Sequence, residues 1–188
     1  MLLHGRGATA ESILTLADEI AADGIAYLAP QAAGRTWYPH RFLEAVERNE
    51  PWLSGALAAV EEIVLTLLAQ GLAPDRIGLL GFSQGACLAL ESAVRHPRRY
   101  GAVVGLSGGL IGPPGTAWPS PSELANARVF LGCGDRDDHI PAERVRDSAE
   151  VFERAGALVK AIIYPRMPHT VNEDELEHVR ELFARMGT

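Results

Sequence analysis

Ser83 stands in Gly81-Phe82-Ser83-Gln84-Gly85, a G-x-S-x-G pentad between a short apolar run and an amphipathic one. A serine can attack a carbonyl only if it stands proud of the fold. A sharp strand-to-helix turn flanked by glycines gives it that exposure. The backbone N–H of Gln84 would then face the oxyanion of a tetrahedral intermediate. Near the start of the chain, His4-Gly5-Arg6-Gly7 forms a second glycine-flanked loop, and the Arg6 N–H is a candidate second donor to that oxyanion.

A serine nucleophile needs a base, and the base needs a group to orient it. His169, in Pro165-Arg166-Met167-Pro168-His169-Thr170, follows an apolar run and precedes the last helical stretch, so it is the best placed of the histidines. His4 reads as a structural hydrogen-bonding group. His40, His96 and His178 read as solvated or packed. Candidate acids cluster in Gly134-Asp135-Arg136-Asp137-Asp138-His139, where spacing alone does not choose among Asp135, Asp137 and Asp138. A divalent cation would want converging ligands, which residues so close along a chain seldom supply. As plain structure, the cluster would favour the N-terminus of a helix opening at Pro141. His139 is too near these aspartates in sequence to partner them across a site.

These residues require a scaffold that brings loop ends together. Leu53, Leu57, Val60, Val64 and Leu67 recur at helical spacing and predict an amphipathic helix over roughly 53–70, stopped by Gly71. Short apolar runs at 77–80, 102–106, 128–131 and 158–164 read as buried parallel strands. Helices are expected over 84–96, from Pro141 to about residue 155, and over 173–186. Such alternation predicts an α/β fold, a mostly parallel sheet covered by helices on both faces, with function at the carboxyl ends of the strands. Met1-Leu2-Leu3, directly before His4, reads as the end of a strand whose beginning is missing. The 188 residues read as one domain, 1–188.

Composition narrows the partners. Seventeen Lys and Arg against 24 Asp and Glu give a net charge of −7, a poor match for nucleic acid, which needs clustered cations. The longest uncharged stretch, 100–122, is broken by Pro113, Pro114, Pro119 and Pro121, so it is not expected to enter a membrane. Cys87 and Cys133 are too few for a disulfide framework or a four-cysteine zinc site and suggest a reducing, cytoplasmic setting.

The order Ser83, aspartate, His169 is that of the α/β-hydrolases. Together with Leu3-His4-Gly5-Arg6-Gly7, Leu28-Ala29-Pro30, Thr36-Trp37-Tyr38, Leu106-Ser107-Gly108-Gly109 and Ile140-Pro141, it resembles the phospholipase/carboxylesterase family of small serine hydrolases, which includes the acyl-protein thioesterases. The resemblance implies an α/β-hydrolase fold and a triad of Ser83, Asp137 and His169. It also implies a substrate-facing Trp37, no metal or organic cofactor, a small-molecule ester substrate, and a monomer or homodimer. Asp138 replaces a proline usual after the catalytic aspartate, and the extra carboxylate is expected to raise the basicity of His169. Arg6, where the thioesterases carry an apolar residue, and the Trp37-Tyr38-Pro39 loop favour the bacterial carboxylesterase branch. The rival activities are acyl thioesterase and lysophospholipase; a binding module without catalysis would be expected to have lost a triad member. Residues 107–122, stiffened by Pro113 and Pro114, are expected to cover a shallow pocket suited to short or medium acyl chains.

Overall fold

The computed structural model describes residues 1–187. Five strands form one parallel sheet in sequence order: β1 (Leu2–Leu3), β2 (Gly78–Phe82), β3 (Ala102–Leu106), β4 (Arg128–Gly134) and β5 (Leu158–Tyr164). Successive residues of a strand face opposite sides of the sheet, and the apolar sequence supplies both sides. Leu3, Leu79, Val103 and Val129 face one core; Leu2, Leu80, Val104 and Phe130 face the other. Helices α2 (Trp52–Ala69), α3 (Gln84–Arg95) and α4 (Ala142–Arg154) close the first core. Helices α1 (Ala10–Ile20) and α5 (Glu173–Gly187) close the second. The result is an α/β-hydrolase architecture.

Several elements differ from the sequence expectation, each for a local reason. The second strand begins at Gly78, because Ile77 closes the turn Pro74–Arg76, and it continues through Phe82. Its continuation pairs Gly81 with both Leu3 and Gly105 and delivers Ser83 to the sheet's carboxyl edge. The fourth strand continues past Leu131 to Gly134, placing the aspartate cluster directly at its end. The fifth strand is not a buried one. It forms the sheet's edge, with Leu158, Lys160 and Ala161 exposed, and the exposed Lys160 suits an unpaired edge.

Helix α1 was not foreseen; Thr9 caps it reciprocally with Ser12, and Ile13 and Ile20 bury its inner face. The 18-residue helix α2 is long and apolar enough to cross a membrane by length and composition. Its stripe of Leu53, Leu57, Val60 and Val64 is nevertheless buried in the first core, and Glu61 engages Arg98.

Candidate active site

Ser83 occupies the turn between β2 and α3 with φ 56° and ψ −120°, a conformation that L residues adopt at a cost of about 1–3 kcal/mol. The surroundings hold it there. A Cβ at Gly81 would come 2.2 Å from the backbone of Gly85, and one at Gly85 would come 2.0 Å from the Leu3 carbonyl. Only glycines let the helix start this close to the sheet. The strain therefore has a use: it lifts the serine side chain out of the chain path.

His169 lies in the loop after β5, its Nε2 2.9 Å from Ser83 Oγ and its Nδ1 2.7 Å from Asp137 Oδ2. Phe82 and His139 contact the imidazole, with ring centroids 4.9 and 4.7 Å away. Three further contacts fix the loop. Asp135 Oδ1 accepts from the Arg166 N–H, Met167 O accepts from the Arg136 N–H, and Ser107 Oγ donates to Thr170 O. The structure thus brings Ser83, Asp137 and His169 together. Asp135 braces the histidine loop from outside the triad. Asp138 is exposed, with no hydrogen bond or ion pair to His169 among the described residues.

The Asp137 side chain is fully buried. Burial by itself would raise its carboxyl, but His169 and the N–H groups of Ile140 and His139 (2.9 and 2.8 Å to Oδ1) outweigh burial and hold it below the usual value. The Cys133 thiol is pushed up to about 12, first by burial and then by the Asp137 charge, so it stays protonated 3.6 Å from Oδ2. Cys87 is likewise pushed up to about 12 by burial, and both thiols are poor nucleophiles. Among the described residues, no three His, Cys, Asp or Glu side chains converge in a way that could hold a metal ion.

The loop carrying Arg6 lies against the elbow: a Cβ on Gly5 would sit 3.4 Å from Ser83 Cβ. Ala32 N–H donates to His4 Nε2, which leaves the proton on Nδ1 to be donated to Gly5 O at 2.8 Å. Buried His4 therefore shapes this loop as a neutral tautomer. Trp37 does not line the cavity above Ser83, contrary to the substrate-facing position expected for it. It is buried, with its Nε1–H donating to His4 O at 2.8 Å and its ring 4.9 Å from that of His4. An indole that needs a partner for its N–H found one underneath the loop.

The side chain of Gln84 was missed entirely. Its Oε1 accepts from the Trp37 N–H and its Nε2 donates to Tyr38 O, clamping the 37–38 segment to the nucleophile turn. Tyr38, Arg41 and Phe42 then supply the wall expected of residues 107–122. The cavity holds about 350 Å³, with apolar walls of Tyr38, Phe42, Phe82 and Ile140 and polar lining from Arg6, Arg41 and His139. Larger hollows, such as the groove of about 1060 Å³ beside α2 and α3, are lined by none of the three triad residues. Segment 107–122 does not cover the site. Leu110 and Ile111 are fully buried, held by Ser148 Oγ and Glu91 Oε2, and the Arg144 guanidinium donates to Leu110 O and Gly112 O. Gly112 N–H in turn donates to Phe42 O, so the segment supports the wall from behind.

A buried carboxyl sits at the head of α5. Glu175 Oε2 accepts from the Asn172 N–H and Asn172 Oδ1 accepts from the Glu175 N–H, a reciprocal cap at the end of the His169 loop. Among the described residues Glu175 Oε1 has no hydrogen-bond partner, and it packs against Gly132, where a Cβ would come within 2.1 Å. Burial, aided by the Asp174 charge, raises this carboxyl from 4.5 to about 7. The folded state then holds a proton that the unfolded state has released between those values, so stability falls as pH rises through that window. Glu175→Gln keeps the cap and cannot ionise. It is expected to melt above wild type at pH 8, by about 1–3 kcal/mol of stability, and level with it near pH 4.5. A variant less stable than wild type at pH 8 would contradict this.

The architecture and the sequence have known counterparts. A crystal structure of a phospholipase/carboxylesterase from Dyadobacter fermentans superposes with a TM-score of 0.90 at 40% identity, covering 96% of this chain and 86% of that one. Acyl-protein thioesterase 1 of Gibberella zeae is 34% identical over 61% of this chain and 49% of its own length. A probable carboxylesterase of Oryza sativa is 30% identical over 74% of this chain and 54% of its own. The chain thus spans about half the length of these two curated relatives. Residues 1–186 match the phospholipase/carboxylesterase family, and the chain belongs to it.

Proposed function

We propose that the protein is a serine hydrolase that cleaves carboxylic esters of short to medium acyl chains through an acyl-enzyme on Ser83. The unbroken hydrogen-bonded line from Ser83 Oγ through His169 to buried Asp137 carries this reading. In this scheme Ser83 Oγ attacks the acyl carbonyl as His169 Nε2 takes its proton, and the negative charge of Asp137 stabilises the imidazolium. The N–H groups of Arg6 and Gln84 stabilise the oxyanion. Gln84 opens α3, where the N–H groups of the first helical turn lack intrahelical partners. The imidazolium then protonates the leaving alcohol, and water repeats the cycle to release the acid. No cofactor is needed for these steps, and the two buried thiols suit a reducing cytoplasm.

The cavity, near the lower end of the roughly 300–1,000 Å³ typical of ligand pockets, favours a short acyl group. Were a long apolar tunnel present, each added CH₂ would contribute about 0.8 kcal/mol. Activity toward 4-nitrophenyl esters is instead expected to level off or fall once the acyl tail outgrows the space between Phe42 and Ile140. The test is kcat/KM from acetyl to palmitoyl, measured below micelle formation. A steady rise to palmitoyl would return the acyl thioesterase or lysophospholipase reading, which the thioesterase relative also suggests, to first place.

A further inference from the structure

Among the described residues, the ionised side chains that line the cavity are Arg6 and Arg41, and no Asp or Glu side chain lines it; the Asp137 carboxylate lies behind His169, bonded to its far ring nitrogen. This is unexpected in a chain with a net charge of −7.

The two cavity guanidiniums are bonded to carbonyls instead. Arg6 Nη1 and Nη2 donate to Pro39 O and His40 O at 2.8 and 2.7 Å, fixing that side chain against the loop that carries Arg41. Arg41 makes one long contact, 3.4 Å to His139 O, on the residue whose ring lies against His169. Among the described residues neither Arg6 nor Arg41 has an ion-pair partner. Carbonyls accept hydrogen bonds but leave the positive charge uncancelled; both side chains are exposed, so their field acts at the cavity and is open to screening by salt. A guanidinium presents paired donors suited to carboxylate or phosphate. Tyr38, Phe42 and Ile140 add apolar lining to the same cavity.

Resting on the proposed ester hydrolysis, we infer that the substrate is an anionic ester: a short carbon chain bearing a carboxylate or phosphate that docks at Arg41, with Arg6 adding to the field. The catalytic steps are those given above. The arginine rim selects the molecule on which they act.

The test compares esters of matched length that differ in charge. On the acyl side these are the mono-4-nitrophenyl ester of adipic acid and 4-nitrophenyl hexanoate. On the alcohol side they are 4-acetoxybenzoate and its methyl ester. At low salt the wild type is expected to prefer the anion in one of the two pairs by about tenfold in kcat/KM, and the pair that responds locates the charge. Added NaCl should erode the preference. Arg41→Gln should bring the ratio near one, and Arg41→Glu should invert it; because the reading is a ratio, partial loss of folded enzyme cancels. Competition by glutarate against competition by inorganic phosphate tells which anion is taken. No preference in either pair, or a ratio unchanged in both Arg41 variants, overturns the inference while leaving the hydrolase reading intact. Failure to hydrolyse any of the four esters overturns the hydrolase reading and this inference with it.

Discussion

Ser83→Ala should lower kcat by about 10⁴–10⁶-fold and leave the melting temperature close to that of wild type. The two halves of this expectation have separate causes. Chemically, the variant removes the oxygen that forms the acyl-enzyme in the proposed scheme, and the residual rate is what oxyanion donors and binding supply without a nucleophile. Structurally, Ser83 Oγ has His169 Nε2 as its partner in a partly exposed setting, and the backbone at φ 56° is held by the close approach of Gly81 and Gly85. Alanine inherits the same strain and the same turn. Turnover above a hundredth of wild type, in a variant that still melts cooperatively, would remove Ser83 from its role.

Asp137→Asn is the second large effect, with an expected loss of about 10⁴-fold in kcat. An amide at this position still accepts from the N–H groups of His139 and Ile140 through one oxygen, as Oδ1 does now at 2.8 and 2.9 Å. Its NH₂ would then face His169 Nδ1, which forces the imidazole to accept there and carry its proton on Nε2. In that tautomer the nitrogen facing Ser83 cannot take a proton. The charge that stabilises the imidazolium disappears in the same step. Asp138→Asn provides the contrast: its exposed side chain has no described contact with His169, so kcat should stay within about twofold of wild type. A large loss in Asp138→Asn with a small one in Asp137→Asn would show the acid to be the wrong residue.

The parts of the site carried by local chain chemistry were legible in the sequence. Gly81-Phe82-Ser83-Gln84-Gly85 states its own geometry, because the flanking glycines are demanded by contacts within a few residues and by the adjacent strand. The strands at 102–106 and 158–164 were marked by apolar runs between breakers, the second interrupted by Lys160. The place of β5 at the edge also had a signal in the sequence, because Lys160 in the middle of its run suits an unpaired edge rather than a buried strand.

The errors fall where function depends on long-range polar bonds. Trp37 looked like a substrate contact because it lies in a loop beside a motif. Its indole is instead consumed by the His4 carbonyl, 33 positions away. Residues 107–122 looked like a cover because they are irregular and rich in proline and glycine. Nothing in that composition announces Glu91 and Arg144, two charged residues on helices that turn inward and tie the segment down. The Gln84 clamp and the Arg6–Arg41 rim were hidden for the same reason. Each joins residues more than 30 positions apart, and the periodicity of a sequence carries no record of such pairs. Helix α1 was legible in the sequence, both in its Thr9–Ser12 cap and in Ile13, Leu16, Ala17 and Ile20 at helical spacing.

The claim on which the proposed chemistry rests is that Ser83 is an activated nucleophile held by His169 and Asp137. Treatment of the purified protein with a fluorophosphonate, followed by peptide mass spectrometry, tests this most directly, because it reads the covalent bond without needing the natural ester. The expected result is a single stoichiometric adduct on Ser83, absent from Ser83→Ala and slowed by orders of magnitude in Asp137→Asn. An unlabelled folded protein, or an adduct on any other residue, would contradict it.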